Sequence, residues 1–595
     1  MTIVFKDTTA PNCPQHTFSP AQFQSIREAL QNEGRLVSIL PILGVRTEEQ
    51  AYQALTNVLR LRLADLAKSQ IDVCVLELVP LKLVHRYAIF PLGLESNGSL
   101  LIATSNPLAI HALDSVSAAT GRPVVPVVAL PTELGKLIKS HIGVGAETVE
   151  GLMAQDRFNI SDEFGVEVLD DLDWEQSGDA GLAQEASVIR LVNEILSEAV
   201  EVQASDIHIE ARETGMRIRY RIDGVLQTQP MPLEINRFQS AIVSRLKIMA
   251  RLNIAEKRIP QDGRIKLKVS GREIDLRLSV IPMLHGEGIV MRILDKDRME
   301  FTLRGIGMDA DIYEQFGKLI KQPHGIILVT GPTGSGKTTT LYSALNEIKS
   351  DATKIITTED PIEYQLDGVN QIQVHSKVGL TFAASLRAVL RHDPDVVLVG
   401  EIRDLETAEN AIQASLTGHL VFSTLHTNDA AGAFTRLNDM GVEPFLIGTT
   451  VEGVMAQRLV RRLCTHCKEK YEPALEELPK DFPMLTEPLS LDTDAIDVMP
   501  SADVYNTFTG NERGIYRPVG CTDCRHTGYS GRIALYELLI ATEPIRLLAN
   551  GGRHSHEIKA AARKAGMQTL RENGWRKVLQ GLTSIDEVIR MAKED

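Results

Sequence analysis

The sequence predicts an α/β protein of several domains, centred on a nucleotide-binding parallel sheet. Three observations carry this. The run Gly331-Pro332-Thr333-Gly334-Ser335-Gly336-Lys337-Thr338 fits G-x-x-x-x-G-K-[ST] at every fixed position. An apolar, β-branched run from Ile326 to Thr330 precedes it, and a helix-like stretch from Thr339 to Leu345 follows. The pattern thus has the strand–loop–helix context that makes it a site. Two further strand-like runs, Lys354 to Thr358 and Val396 to Val399, each lead into acidic residues, at the strand ends where open α/β sheets bind ligands.

At 595 residues the chain exceeds what one core supports. Residues 1–18 read as a loose tail, and 19–145 as a mixed α/β domain with a helix-like stretch from Glu48 to Leu66. Residues 146–182 carry about a dozen acidic side chains against a single Arg157 and read as a solvated linker. Strand signals dominate 183–300, and the nucleotide-binding domain spans 301–460. Residues 461–535 hold two C-x-x-C pairs, and 536–595 read as helices. The net charge of −15 argues against a protein whose main task is coating nucleic acid. No apolar run approaches the roughly 20 residues that span a bilayer. Met1 to Asp7 lacks a signal-peptide layout, so the expected location is the cytosol, with membrane contact only through partners.

The glycine loop sets out a division of labour. Backbone N–H groups from Gly331 to Thr339 surround phosphates, with the helix N-terminus adding positive charge. Lys337 reaches the β- and γ-phosphates, and the Thr338 hydroxyl binds Mg²⁺. In Glu359-Asp360-Pro361-Ile362-Glu363 a proline ends the strand. Glu359 is placed to orient water or act as base, and Asp360 and Glu363 to hold Mg²⁺-bound water or pair with arginine. Val396 to Glu401 resembles a Walker B strand, with Gly400 where an aspartate is usual and Glu401 next. Glu401 is a second candidate for metal-water coordination or for polarising the attacking water. His426, at the end of Gly418 to Asn428, is placed to meet a γ-phosphate; a structural histidine is the plainer reading.

Upstream, Met216 to Ile222 alternates, putting Met216, Ile218, Tyr220 and Ile222 on one face and Arg217, Arg219 and Arg221 on the other. Asp223-Gly224 then forms a hairpin turn. Arg277 and Arg292 lie on later strand-like runs. This is either a solvated sheet face or a cationic face for another subunit's ATP. Cys464, Cys467, Cys521 and Cys524 supply four soft ligands in two close pairs, which suits one structural Zn²⁺ with no open position. Cys13 and Cys74 stand alone.

With these motifs, and with Ser205 to Glu210 and Arg258 to Gly263-Arg264 as further signatures, the chain from about 183 to 595 resembles the secretion ATPase superfamily, in its type II secretion and type IV pilus motor group. In detail the chain most resembles the type II secretion branch, with the pilus extension branch as the alternative; the four cysteines and long N-terminal region set it apart from the retraction ATPases. The resemblance implies a RecA-like ATPase domain after a PAS-like α+β domain, assembled as a homo-hexamer. It implies ATP, Mg²⁺ and structural Zn²⁺ as cofactors, and Arg219, Arg221, Arg277 and Arg292 as candidate arginine fingers. It further implies a cytoplasmic motor, peripheral on the inner membrane, that drives pseudopilus assembly and protein export. Its expected partners are a polytopic inner-membrane platform protein and the cytoplasmic domain of a bitopic inner-membrane protein, the latter met by residues 19–145. The repeated arginine-leucine-glycine motif that accompanies cyclic di-GMP binding in some relatives is not evident here.

Overall fold

The unbroken apolar run Leu100–Thr104 forms a wholly buried strand, as such a run predicts. This computed structural model describes residues 3–6, 18–32, 35–66, 69, 71–142, 166–168, 186–295, 301–483 and 514–593. Most of the expected tail, nearly all of the expected linker and the middle of the segment between the cysteine pairs lie outside these residues. Two compact units result: Met1–Asp297 with Gly520–Thr527, and Arg298–Val519 with Gly528–Asp595.

In the first unit, strands β1 (Ile89–Leu94), β2 (Leu100–Thr104) and β3 (Val124–Val128) form a sheet in that order. β1 and β2 are antiparallel; β2 and β3 are parallel, joined through the helix Ile110–Thr120. The helix Pro131–Ile142 begins with proline, whose missing N–H costs nothing there, and buries Leu134 and Leu137 against the sheet. The helix expected to run to Leu66 stops at Leu59, because Arg60 turns left-handed at φ 54° and the chain beyond it makes isolated bridges.

The same unit holds a larger antiparallel sheet. Its strands are β4 (Val166–Val168), β5 (Asp206–Arg212), β6 (Gly215–Ile222), β7 (Val225–Thr228), β8 (Gln261–Val269), β9 (Arg272–Met283) and β10 (Gly286–Asp295). Their order is β4-β8-β9-β10-β5-β6-β7. The segment expected to be wholly linker thus contributes the edge strand β4, where Val166 and Val168 flank Glu167. Period-2 alternation sends Ile218, Tyr220, Leu276, Leu278 and Met291 into one core with the helices Ala186–Glu201 and Gln239–Met249. Tyr220 donates its hydroxyl hydrogen to the Ile195 carbonyl at 2.9 Å. Asp223 and Gly224 both take positive φ, as a two-residue hairpin turn demands.

The second unit is built on β11 (Gly325–Thr330), β12 (Ile355–Glu359), β13 (Asn370–Gln373), β14 (Val396–Val399), β15 (Leu420–Leu425), β16 (Val451–Leu463) and β19 (Tyr529–Ile540). β17 (Glu469–Lys470) and β18 (Tyr516–Arg517) make a separate small ribbon. The sheet order is β13-β12-β14-β15-β11-β16-β19, parallel except for β19. Burial on both faces explains its continuous apolar strands. Ile326 and Leu328 of β11 enter one core, Ile327 and Val329 the other. β16 runs through residue 460 and β19 through residue 535, so the cysteine region is an excursion between adjacent strands of one sheet. Helices Glu543–Asn550, Ser555–Lys564, Leu570–Leu579 and Ile585–Met591 complete this unit.

Candidate nucleotide site and metal cluster

β11 ends at Thr330 and the helix Lys337–Ile348 begins seven residues later; between them Gly331, Gly334 and Gly336 hold φ of 151°, 79° and 89°. A Cβ on Gly331 would lie 2.6 Å from both the Gln457 carbonyl oxygen and Ser335 Oγ. The loop therefore presents bare backbone to the space it encloses. Thr338 and Thr339 lie in the first helical turn. Lys337 donates to the carbonyls of Gly331 at 2.8 Å and Pro332 at 3.1 Å, contacts that bend its ammonium over the loop. Burial lowers its pKa; the Glu401 carboxylate opposes this and the Arg458 guanidinium reinforces it. Ser335 Oγ is buried without a hydrogen-bond partner among the described residues. An orphaned hydroxyl in a glycine cradle with a lysine fits a bound polyphosphate.

The parallel register brings the carboxyl ends of β12, β14 and β15 beside this loop. Gly400 N–H donates to the Thr358 carbonyl at 2.8 Å, and Thr424 Oγ1 donates to the Gly400 carbonyl at 2.7 Å. Glu401, held there, pairs with Arg403 and has His426 Nε2 3.4 Å from its other oxygen. The pairing raises the Arg403 pKa. Glu359 is only 4 % exposed. Its carboxylate accepts from Tyr342, from Thr357 Oγ1 at 2.5 Å and from Gln371 Nε2 at 3.1 Å. Asp360 is exposed and Glu363 half-buried. Glu401, Arg403, His426 and Lys337 thus form one cluster, with Glu359 secured behind it by neutral donors.

On the arginine face, directly opposed positions run Arg264, Arg277, Arg292, Asp206, Arg221 across β8, β9, β10, β5 and β6. Asp206 lies 3.3 Å from Arg292 and 3.5 Å from Arg221. A cavity of about 430 Å³ is lined by Arg264, Arg277, Arg292, Asp206, Asp262 and Ser279. Arg219 stands two residues from Arg221 on β6, opposite His208, and is bound to Glu210. Sequence reasoning placed Arg264 and Asp206 only within motifs. Their membership of the row depends on strand pairings that no local spacing announces.

The ligand atoms of Cys464, Cys467, Cys521 and Cys524 all lie within 4.8 Å of one another. Three of these cysteines are buried and Cys467 is half-buried. The second knuckle turns through Arg525 and His526, both at positive φ, and the Cys521 N–H points to Cys524 Sγ at 3.1 Å. Four converging sulfurs are a closed donor set for a soft or borderline metal.

A phosphate-binding loop at the carboxyl end of a parallel sheet, with lysine, hydroxyl and acid converging on it, defines a P-loop nucleotide hydrolase. Residues 181–590 match the family model "Type II/IV secretion system protein", and residues 59–147 match the MshEN domain. The chain is 42% identical over 94% of its length, and 93% of the other chain, to a type II secretion system protein E of Xanthomonas campestris. It is 39% identical to the type IV pilus assembly ATPase PilB of Myxococcus xanthus, over 97% of both chains. With a type II secretion system ATPase E of Vibrio cholerae it shares 50% identity, over 69% of this chain and 76% of that one. The chain belongs to the type II/IV secretion system protein family. Its chemistry is ATP hydrolysis, as a secretion or pilus-assembly ATPase.

Among the described residues, no helix is long and apolar enough to cross a membrane.

Proposed function

We propose that this chain powers type II secretion, with ATP hydrolysis in a homo-hexameric ring driving pseudopilus growth. The observation that carries the hydrolytic part is the cluster of Lys337, Glu401, Arg403 and His426 beside the glycine loop. Lys337 and the loop N–H groups bind phosphate oxygens and counter the charge that grows on them during transfer. Thr338 and Glu401, with Asp360 and Glu363 through water, would hold Mg²⁺, which when bound neutralises phosphate charge. Glu401 and Glu359 share the task of orienting the attacking water, and His426 reports the γ-phosphate to Glu401. The four thiolates would hold Zn²⁺ as a structural ion. Arg277, Arg292 and Arg221, with Arg219 beside them, supply positive charge to a neighbouring subunit's nucleotide. Residues 19–145 dock on the cytoplasmic domain of a bitopic inner-membrane protein, and the motor works on a polytopic platform protein from the cytoplasmic face.

The full-length relative from Xanthomonas campestris favours type II secretion, and the full-length pilus relative from Myxococcus xanthus keeps pilus extension as the second reading. Complementation separates them. In a host strain lacking the gene, the wild-type chain should restore export of a secreted hydrolase and Lys337→Ala should not. Restored twitching motility with export still blocked would move the assignment to pilus extension.

A further inference from the structure

We infer that Arg458 is a positioning residue for hydrolysis, tying the loop after His426 to the floor of the glycine loop. The inference rests on the reading of the glycine loop as the hydrolytic site. β16 runs beside β11 until Ala456 opposes Thr330; Gln457 and Arg458 then continue past the end of β11, beneath the loop. Alternation points their side chains to opposite faces of the sheet. On one face Gln457 accepts from Thr340 Oγ1 of the P-loop helix at 2.8 Å. Its carbonyl oxygen is, with Ser335 Oγ, one of the two atoms 2.6 Å from where a Cβ on Gly331 would sit, and its amide would crowd a Cβ on Gly336 at 2.8 Å.

On the other face Arg458 is only 8 % exposed. Its guanidinium donates to the Gln457 carbonyl at 3.0 Å, to the Asn428 carbonyl at 2.9 Å and to Asn428 Oδ1 at 3.2 Å. One fork thus grips both the loop floor and the segment that begins two residues after His426. Planar, pre-organised donors suit that task better than a lysine point charge. Desolvating this cation is costly, and its three hydrogen bonds offset that cost. Glu537 stands on the same sheet face, opposite Ala456 on β19, and its carboxylate attracts the guanidinium. Glu537 is 1 % exposed and accepts from Ala430 N–H at 2.7 Å and Leu570 N–H at 3.2 Å. The His426-side loop is therefore pinned from two directions, by Arg458 at Asn428 and by Glu537 at Ala430.

What this pinning controls is alignment. The loop N–H groups and Lys337 hold phosphates without help from Arg458. The distance between that anchored nucleotide and the Glu401–His426 pair depends on the clamp, and small misplacements cost far more in turnover than in binding. The test is steady-state ATPase kinetics on the purified full chain, with MgADP affinity, a thermal melt and the Lys337→Ala chain as reference. Arg458→Gln should lower kcat about tenfold or more while KM and MgADP affinity stay within about threefold. Arg458→Lys should recover part of the loss, and Asn428→Ala should lower kcat less than Arg458→Gln does. Combining Arg458→Gln with Asn428→Ala should add little to the first change, because both break the same contact. Unchanged kcat in a folded Arg458→Gln chain, or losses that multiply in the double variant, would overturn the inference. If Arg458→Gln does not fold, Asn428→Ala decides: unchanged kcat overturns the clamp, and lowered kcat at constant KM supports it. Full activity in Lys337→Ala would instead remove the reading of the site on which the clamp depends.

Discussion

Gly400 occupies a place where nucleotide hydrolases commonly carry aspartate, and its surroundings are tight. A Cβ there would lie 3.2 Å from the Thr358 carbonyl oxygen and 3.3 Å from the Phe382 ring. The acid moves one residue on, and Glu401 reaches Arg403 and His426 from a backbone held by Thr424. The Glu401→Gln chain should bind MgATP with near-normal affinity but hydrolyse it slower by on the order of 10²-fold, since the amide cannot organise metal-bound water. Glu359→Gln should also slow turnover, by disturbing a carboxylate that holds three donors. Single-turnover phosphate release measures both, and normal rates in the two variants would remove the assignment of this site. Lys337 and Thr338 were legible as candidates because the glycine-loop pattern fixes their spacing, and Glu401 because it follows an apolar strand-like run. Arg458 and Gln457 were not, because their meaning arises from the β16–β11 register, more than a hundred residues apart in the chain.

Among the elements, period-2 alternation in β6 predicted which face is buried, and Ile218 and Tyr220 lie in the core as expected. The two C-x-x-C pairs were equally readable, because two close sulfur pairs match the four-ligand set of one tetrahedral metal. The stop of the helix at Leu59 was less so: Arg60 takes a left-handed conformation that no glycine or proline signals. The knuckles leave the seven-stranded sheet between β16 and β19, which pair directly from Gly453–Ile540 to Leu463–Tyr529. A metal closing this excursion would stabilise the two strands at the ends from which it leaves. Purified protein should contain about one zinc per chain by elemental analysis. Cys467→Ser should lose the metal and lower the melting temperature while nucleotide binding survives. A fully folded, metal-free wild-type chain would contradict the zinc assignment.

At the scale of the whole molecule, the sequence suggested an order of segments because strand-rich, nucleotide-binding and helical stretches differ in period, whereas the chain divides into two compact units. The arginine row was visible only in part. Arg221 and Arg277 follow from alternation and Arg292 was placed on a later strand-like run, whereas Arg264 and the intervening Asp206 join them through pairing across five strands. The row of guanidinium groups, with Asp206 among them, borders a cavity of about 430 Å³, and paired guanidinium donors of this kind suit phosphate oxygens. If it serves a neighbouring subunit, hydrolysis is a property of the ring and not of the isolated chain. The most direct measurement is phosphate release per chain across a concentration series, repeated with a fixed fraction of Arg221→Ala chains. The ring account predicts turnover that rises as oligomers form, and depression by Arg221→Ala beyond simple dilution. Full turnover that is independent of concentration and falls only in proportion to the variant's share would contradict it.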